Sequence, residues 1–161
     1  MMQYIQKAQL EKALEETLKK GISYIIEKVY NKLLDFIQMD IYDTYAPQKY
    51  ERTFDFKNKA WQMDVKKTVH KIVGEIFYDG LKMSYNPAKY QHGNKWGEDR
   101  RLRLAEILNE TVKKPDVYLN GGDWDMVRDP LPQPFWDHTL EWLNSEWNNL
   151  VNDMLSYVGL K

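Results

Sequence analysis

Apolar residues recur at intervals of three and four over residues 3–45. That spacing places them on one face of an α-helix and predicts a long N-terminal helix. Gly21 stands inside the pattern, and because glycine costs about 1 kcal/mol relative to alanine in a helix interior, a kink or break is expected there. The apolar face comprises Leu10, Leu14, Leu18, Ile22, Ile25, Ile26, Val29, Leu33, Phe36 and Ile37.

The pattern changes further along the chain, where apolar and polar residues alternate over residues 61–65. Such alternation is typical of a half-buried β-strand. Residues 71–78 are rich in β-branched and aromatic side chains, with Gly74 as a candidate bulge. The two runs lie close together in the sequence, so we expect an antiparallel hairpin near residues 60–78.

The last third of the chain predicts two more helices. Residues 98–112 form a short middle helix that Pro115 ends, and a long helix begins near Pro134 and reaches a glycine cap at Gly159. The fold class is therefore α+β, with the C-terminal helix packed on a small antiparallel sheet. We expect one domain over residues 1–161, with a helical arm (residues 1–45) and an α+β body (residues 46–161).

Composition narrows the classes of function. The chain has 23 basic and 24 acidic residues, so a strongly basic surface for nucleic acid is not expected. It has no cysteine, which excludes disulfides and thiolate metal sites. No apolar run is long enough to span a membrane, and the charged N-terminal residues do not fit a secretory signal.

Candidate chemistry is sparse. His70, His92 and His138 form no close pair of the kind that metal sites usually contain. An acidic stretch that starts at Asp123 lacks the glycine and glutamate of a calcium loop, because Arg128 and Pro134 hold those positions. No serine lies in a nucleophile-elbow motif. We therefore predict no catalytic residue, metal ligand set or cofactor, and a protein that is not an enzyme.

The residues after the first helix carry a resemblance to a known family. Tyr45, Pro47, Tyr50, Arg52 and Thr53 follow the helix in a Tyr-x-Pro-x-x-Tyr-x-Arg-Thr arrangement. Together with the hairpin, a His-Gly loop and a Pro-Phe segment before the last helix, this order resembles the tail-completion or head–tail joining (neck) proteins of long-tailed bacteriophages. Family members usually have glycine directly after the Arg-Thr pair, where this chain has Phe54.

The resemblance implies assembly in the virion. A protein of this kind forms a homo-oligomeric ring, commonly a hexamer, at the head-proximal end of the tail. Its partners are neighbouring neck, connector or tail-tube proteins, DNA passes through the ring without being read, and no membrane is involved. It is located in the neck or tail of the virion, after assembly in the host bacterial cytoplasm. The five junction residues then form an architectural joint.

The aromatic loop after the hairpin supplies candidate anchors, since aromatic side chains dominate protein interfaces. The candidate subunit-contact residues are Tyr85, Tyr90, His92, Trp96 and Trp124. Two alternatives stay open. The first is an enzyme or small-ligand protein with a pocket at residues 85–96, and the second is a host-directed phage effector that acts by binding proteins.

Overall fold

The computed structural model describes residues 2–43, 54–69, 71–84, 105, 109 and 134–161. The fold is α+β, and its long N-terminal helix, two-stranded antiparallel sheet and C-terminal helix are those that the sequence predicts. The elements are α1 (Met2–Ile37), a π-helical turn (Gln38–Tyr42), α2 (Asp55–Asn58), β1 (Trp61–Lys67), β2 (Ile72–Tyr78), a 3-10 turn (Gly80–Lys82) and α3 (Phe135–Tyr157).

Helix α1 runs without interruption through Gly21, so a break there is wrong, and a kink stays a prediction. Packing explains the glycine instead. A Cβ atom at Gly21 would lie 2.6 Å from Sδ of Met154 and 3.1 Å from its Cγ. The missing side chain therefore lets α3 approach the backbone of α1, and this contact offsets the lower helix propensity of glycine.

The hairpin keeps one register from end to end. The N–H of Thr68 donates to the carbonyl of Lys71 at 2.8 Å, and at the other end the N–H of Asp79 donates to the carbonyl of Ala60 at 2.6 Å. Both hydrogen bonds fit the same pairing of the strands, which leaves no extra residue for a bulge at Gly74. The bulge interpretation is thus wrong.

Gly74 is instead a point of close approach between the sheet and α1. A Cβ atom there would lie 3.1 Å from Cγ2 of Ile22 and 3.3 Å from both Cβ and Cδ1 of Ile26. Any side chain at this position would have to displace one of two β-branched residues on the facing helix. Glycine thus favours the close packing of α1 on β2.

Both ends of α3 carry capping interactions. At its start, the side-chain Oδ1 of the buried Asn109 accepts the N–H of Trp136 at 3.0 Å, which satisfies one of the N–H groups that a helix leaves unpaired. At its end, Gly159 has a φ of 74°, and the N–H groups of Gly159 and Leu160 donate to the carbonyls of Ser156 and Leu155. This is a Schellman motif, and Gly159 is the glycine cap that the sequence predicts.

Of the predicted middle helix, only Ala105 and Asn109 lie among the described residues, and both are helical. The remainder of residues 98–112 lies outside them.

The chain divides into two compact units. Unit 1 contains Met1–Asn31, Met63–Ile76 and Trp142–Lys161. Its core is formed by Ile25, Val29 and Leu150, with further partly buried side chains packed against them: Tyr24, Ile76, Trp142, Leu143 and Met154.

Unit 2 contains Lys32–Gln62 and Phe77–Glu141. Its buried apolar side chains are Leu33, Ile37, Ile41, Phe56, Ala60, Trp61, Met83 and Phe135. The division of the chain into an arm of residues 1–45 and a body of residues 46–161 within one domain stays a prediction. None of the helices among the described residues is long and apolar enough to cross a membrane.

Candidate functional site at the junction after the first helix

The junction lies in unit 2, and the structure describes the residues on both sides of it. Its five predicted joint residues (Tyr45, Pro47, Tyr50, Arg52 and Thr53) lie outside the described residues, and so do the predicted contact residues Tyr85, Tyr90, His92, Trp96 and Trp124. On the N-terminal side of the junction the described residues end at Asp43, and on the C-terminal side they begin at Phe54. The joint stays a prediction, and the structure shows the geometry of its two flanks.

A π-helical turn ends the first helix and bonds it to the next one. The N–H of Asp43 donates to the carbonyl of Gln38 at 2.9 Å, as expected for the wider π turn. The side-chain amide of Gln38 donates to Oδ1 of Asp43 at 2.7 Å and accepts from Nζ of Lys57 at 3.1 Å. One glutamine therefore links the end of the helix to α2.

Phe54, the first described residue after the junction, has a left-handed backbone conformation with φ 56° and ψ 12°. A bulky residue rarely adopts this conformation, which costs about 1–3 kcal/mol and persists only where neighbouring contacts enforce it. Two such contacts exist. The ring of Phe54 stacks on Tyr42 with centroids 4.6 Å apart, and its carbonyl accepts the N–H of Asn58 at 2.9 Å.

This backbone geometry is one that favours glycine. The resemblance places a glycine at this position, and glycine adopts a left-handed conformation without a steric penalty. Phe54 adopts the same left-handed backbone conformation. Its ring also contacts Tyr42, which lies on the other side of residues 44–53 in the sequence. The stack brings the two ends of the junction together.

Asp55 is a buried carboxylate that ties α2 to the segment after the hairpin. Its Oδ1 lies 2.8 Å from Nζ of Lys59, and its Oδ2 accepts the N–H of Ser84 at 2.7 Å. Burial alone would raise the pKa of Asp55, but the hydrogen bonds from Lys59 and Ser84 and the charge of Lys59 lower it below its ordinary value. The carboxylate is thus ionised at neutral pH and structural.

Below α2 lies an aromatic cluster of Phe56, Trp61, Tyr78, Phe135 and Trp136. Phe56 contacts Trp61 and Phe135 edge to face, with centroids 6.0 Å and 5.8 Å apart. Trp61 also stacks on Trp136 at 5.7 Å and lies 5.4 Å from Tyr78. Such pairs add about 0.5–1.5 kcal/mol each beyond the area that they bury. The cluster packs α2, the start of β1, the end of β2 and the start of α3 together in unit 2.

A second polar pair lies beside the π turn. His138 on α3 donates from Nδ1 to Oδ2 of the buried Asp40 at 2.8 Å. Phe36 lies against the imidazole with centroids 5.7 Å apart, and Nζ of Lys32 lies 4.8 Å from the centre of the Phe36 ring. A carboxylate that orients an imidazole is part of many catalytic triads, yet a triad also needs a nucleophile beside the imidazole. The pair, as described, fixes α3 to the end of α1.

The sequence contained one signal for this pair. Leu33, Ile37 and Asp40 follow one another at helical spacing, so the sequence places the carboxylate on the apolar face of the predicted N-terminal helix. A charged group on a buried face requires a polar partner. His138, 98 positions away, could not be identified as that partner from spacing alone.

Ligand sites among the described residues are limited. In this part of the chain, no three histidine or acidic side chains are grouped so that they could hold a metal ion. A shallow depression of about 350 Å³ lies in unit 1, lined by Glu16, Lys19, Lys20, Ser23, Tyr24, Glu27 and Tyr157. The alternative pocket at residues 85–96 falls outside the described residues, so it stays a prediction.

Comparison with known proteins gives one match. A protein-family profile named YomN matches residues 3–158. The family takes its name from a Bacillus phage or prophage gene. No curated protein and no solved structure matches the chain.

Proposed function

We propose that this chain, which belongs to the YomN family, is a virion structural protein that completes the tail or joins it to the head. The family makes it a phage-related protein. The finer role is supported by the junction motif that resembles tail-completion proteins and by the way in which the described residues support that junction. The chain does no catalysis in this role and binds no cofactor or metal.

One observation carries the proposal: unit 1 exposes a row of leucines on α1. Leu10, Leu14 and Leu18 are 70%, 53% and 45% exposed, and they are spaced four residues apart on one helical face. Burying leucine side chains contributes about 1.5–3 kcal/mol each. An exposed row of this kind is typical of a protein–protein contact surface, which an assembly protein requires.

The proposed assembly is a homo-oligomeric ring, expected to be a hexamer, at the head-proximal end of the tail. It contacts neighbouring neck, connector or tail-tube proteins of the phage, in the virion, after assembly in the host bacterial cytoplasm. A net charge of −1 fits a ring through which DNA passes, because a strongly basic lumen would bind phosphates and hold the DNA.

Deletion of the gene from a phage that carries it tests the role. We expect particles in which filled heads and tails accumulate separately, since the joint between them is missing. Electron microscopy of lysates measures the ratio of joined to unjoined particles, and a plasmid copy of the gene should restore it. Complete, infectious particles in the deletion strain would contradict the proposal.

A further inference from the structure

Within unit 1, α3 covers one face of α1 over part of its length. Leu150 packs against Ile25 and Val29 in the core, and Met154 lies against Gly21. The last turn of α3 brings Tyr157 onto Tyr24, with ring centroids 4.7 Å apart. These contacts establish that this face of α1 binds an apolar helix.

The same face of α1 continues beyond the end of α3. Leu18 lies seven residues, or two helical turns, before Ile25, and Leu14 and Leu10 continue at steps of four. All three are exposed. We call these three leucines the arm row. The arm row therefore extends an established helix-binding surface without a helix to cover it.

Helix α3 has a second apolar row beside the one that packs on α1. Trp147, Val151 and Leu155 lie four residues apart, and we call them the α3 row. Trp147 is 50% exposed, and the other two are half-buried. The next positions around the helix, Asn148 and Asn152, are exposed and uncharged.

The two rows match in length and spacing. Each contains three side chains over nine residues, whose eight steps are about 12 Å of helix. Side chains at steps of four form a ridge, and ridges of this type on two helices interdigitate in the commonest mode of helix packing. The arm row and the α3 row can thus fit each other.

Charge favours the same pairing. Residues 7–20 of α1 carry four lysines and three glutamates, and Lys67 of β1 already binds Glu15. The part of α3 in unit 1 carries two carboxylates (Glu146 and Asp153) and no lysine or arginine, and Nζ of Lys161 donates to Oδ1 of Asn152 at 3.0 Å. The net charge of +1 on residues 7–20 is thus opposite in sign to the net charge beside the α3 row, which favours the pairing.

We propose that the arm row of one copy of this chain packs against the α3 row of a second copy. This inference rests on the proposed assembly role and names its subunit contact. The two surfaces differ, so each copy contacts one neighbour through its arm row and another through its α3 row. Head-to-tail contacts of this kind form a ring when the rotation between successive subunits closes.

The test uses two variants of the full chain and their mixture. Leu14→Glu blocks the arm row, and Trp147→Glu blocks the α3 row. The matched controls are Ala13→Glu and Asn148→Glu, which add the same charge at exposed neighbouring positions outside the rows. Analytical ultracentrifugation measures self-association, and circular dichroism establishes that each variant is folded. Trp147→Ala replaces Trp147→Glu if the latter does not fold.

We expect each blocked variant to associate at least about tenfold more weakly than the wild-type chain, because a buried charge removes the apolar contact. The controls should associate like the wild type. An equimolar mixture of the two blocked variants should form a two-chain complex and nothing larger, since one intact arm row and one intact α3 row remain between them.

Three results would overturn the contact: a wild-type chain that stays monomeric, a blocked variant that associates like the wild type, or a mixture that forms no complex. The last result would indicate a symmetric contact between like surfaces or a different protein partner. The phenotype of the gene deletion still decides the assembly role in each case, so the two proposals fail separately.

Discussion

At the scale of the residue, two buried carboxylates lie on either side of the junction, and each has a partner from a distant part of the chain. Asp55 accepts hydrogen bonds from Lys59 and from the backbone of Ser84, and Asp40 pairs with His138. Each carboxylate is buried, so each loses hydration on folding and regains stability only through its partner. These pairs position the helices around the joint more specifically than apolar contacts could.

Asp55→Asn is expected to destabilise the protein at pH 7 by about 1–3 kcal/mol, because it removes a charged acceptor from two buried hydrogen bonds. The pKa of Asp55 is lowered in the folded state. Its contribution is therefore fully present above the ordinary carboxyl pKa of about 4 and is lost as the pH falls through the folded value.

Urea unfolding of the wild type and the variant at pH 7 and at pH 3 measures this contribution. The difference in the free energy of unfolding should be smaller at pH 3. Asp153→Asn, at an exposed site of α3, is the control and should change stability by less than about 0.5 kcal/mol. A difference that stays constant with pH would show that the charge of Asp55 does not stabilise the fold.

At the scale of the element, two glycines set the packing of unit 1. Gly21 admits Met154 of α3, and Gly74 admits Ile22 and Ile26 of α1. The neighbour at Gly21 is the end of a flexible methionine, which can move aside. The neighbours at Gly74 are β-branched side chains close to the helix backbone, which have little freedom to move. Gly74 is therefore the more restrictive of the two positions.

Gly74→Val is expected to destabilise the protein by about 1–3 kcal/mol, although valine favours strands, because the added side chain overpacks the contact with α1. Met63→Val, at an exposed position of the partner strand, is the control and should change stability little. Thermal unfolding measures both variants. Equal stability of Gly74→Val and the wild type would contradict the close approach of α1 and β2.

Hydrophobic periodicity was sufficient to predict the helices and the hairpin, because each element buries one face and that face repeats along the sequence. It identified the cap at Gly159 but could not give the roles of Gly21 and Gly74. A glycine that interrupts a helix or strand and a glycine that lets another element pack closely look alike in sequence. The sequence therefore predicts a kink or break at Gly21 and a bulge at Gly74. The difference lies in Met154 and Ile26, which are distant in sequence from the glycines that they contact.

The candidate site was predictable only in location. The junction motif indicated residues 45–53, and Phe54 stood out as a departure from the resemblance. The Gln38 bridge depends on a π turn that no periodicity indicates. The partners Ser84, Asn109 and His138 come from other segments of the chain, and pairs of this kind are set by tertiary packing and not by local spacing.

At the scale of the whole molecule, the chain is a member of a phage-related family with a nearly neutral charge and a long helix whose N-terminal leucines are exposed. A virion ring accounts for these features together. In the proposed ring the exposed leucines would make subunit contacts, and the low net charge would let DNA pass.

The most direct test of this role is quantitative mass spectrometry of phage particles purified from a strain that carries the gene. The account predicts that the chain is present in intact virions at a constant low copy number, about that of a single ring and far below the tail-tube protein. It also predicts that the chain stays with the particles through a second gradient purification. Its absence from purified virions that are complete and infectious would contradict the account.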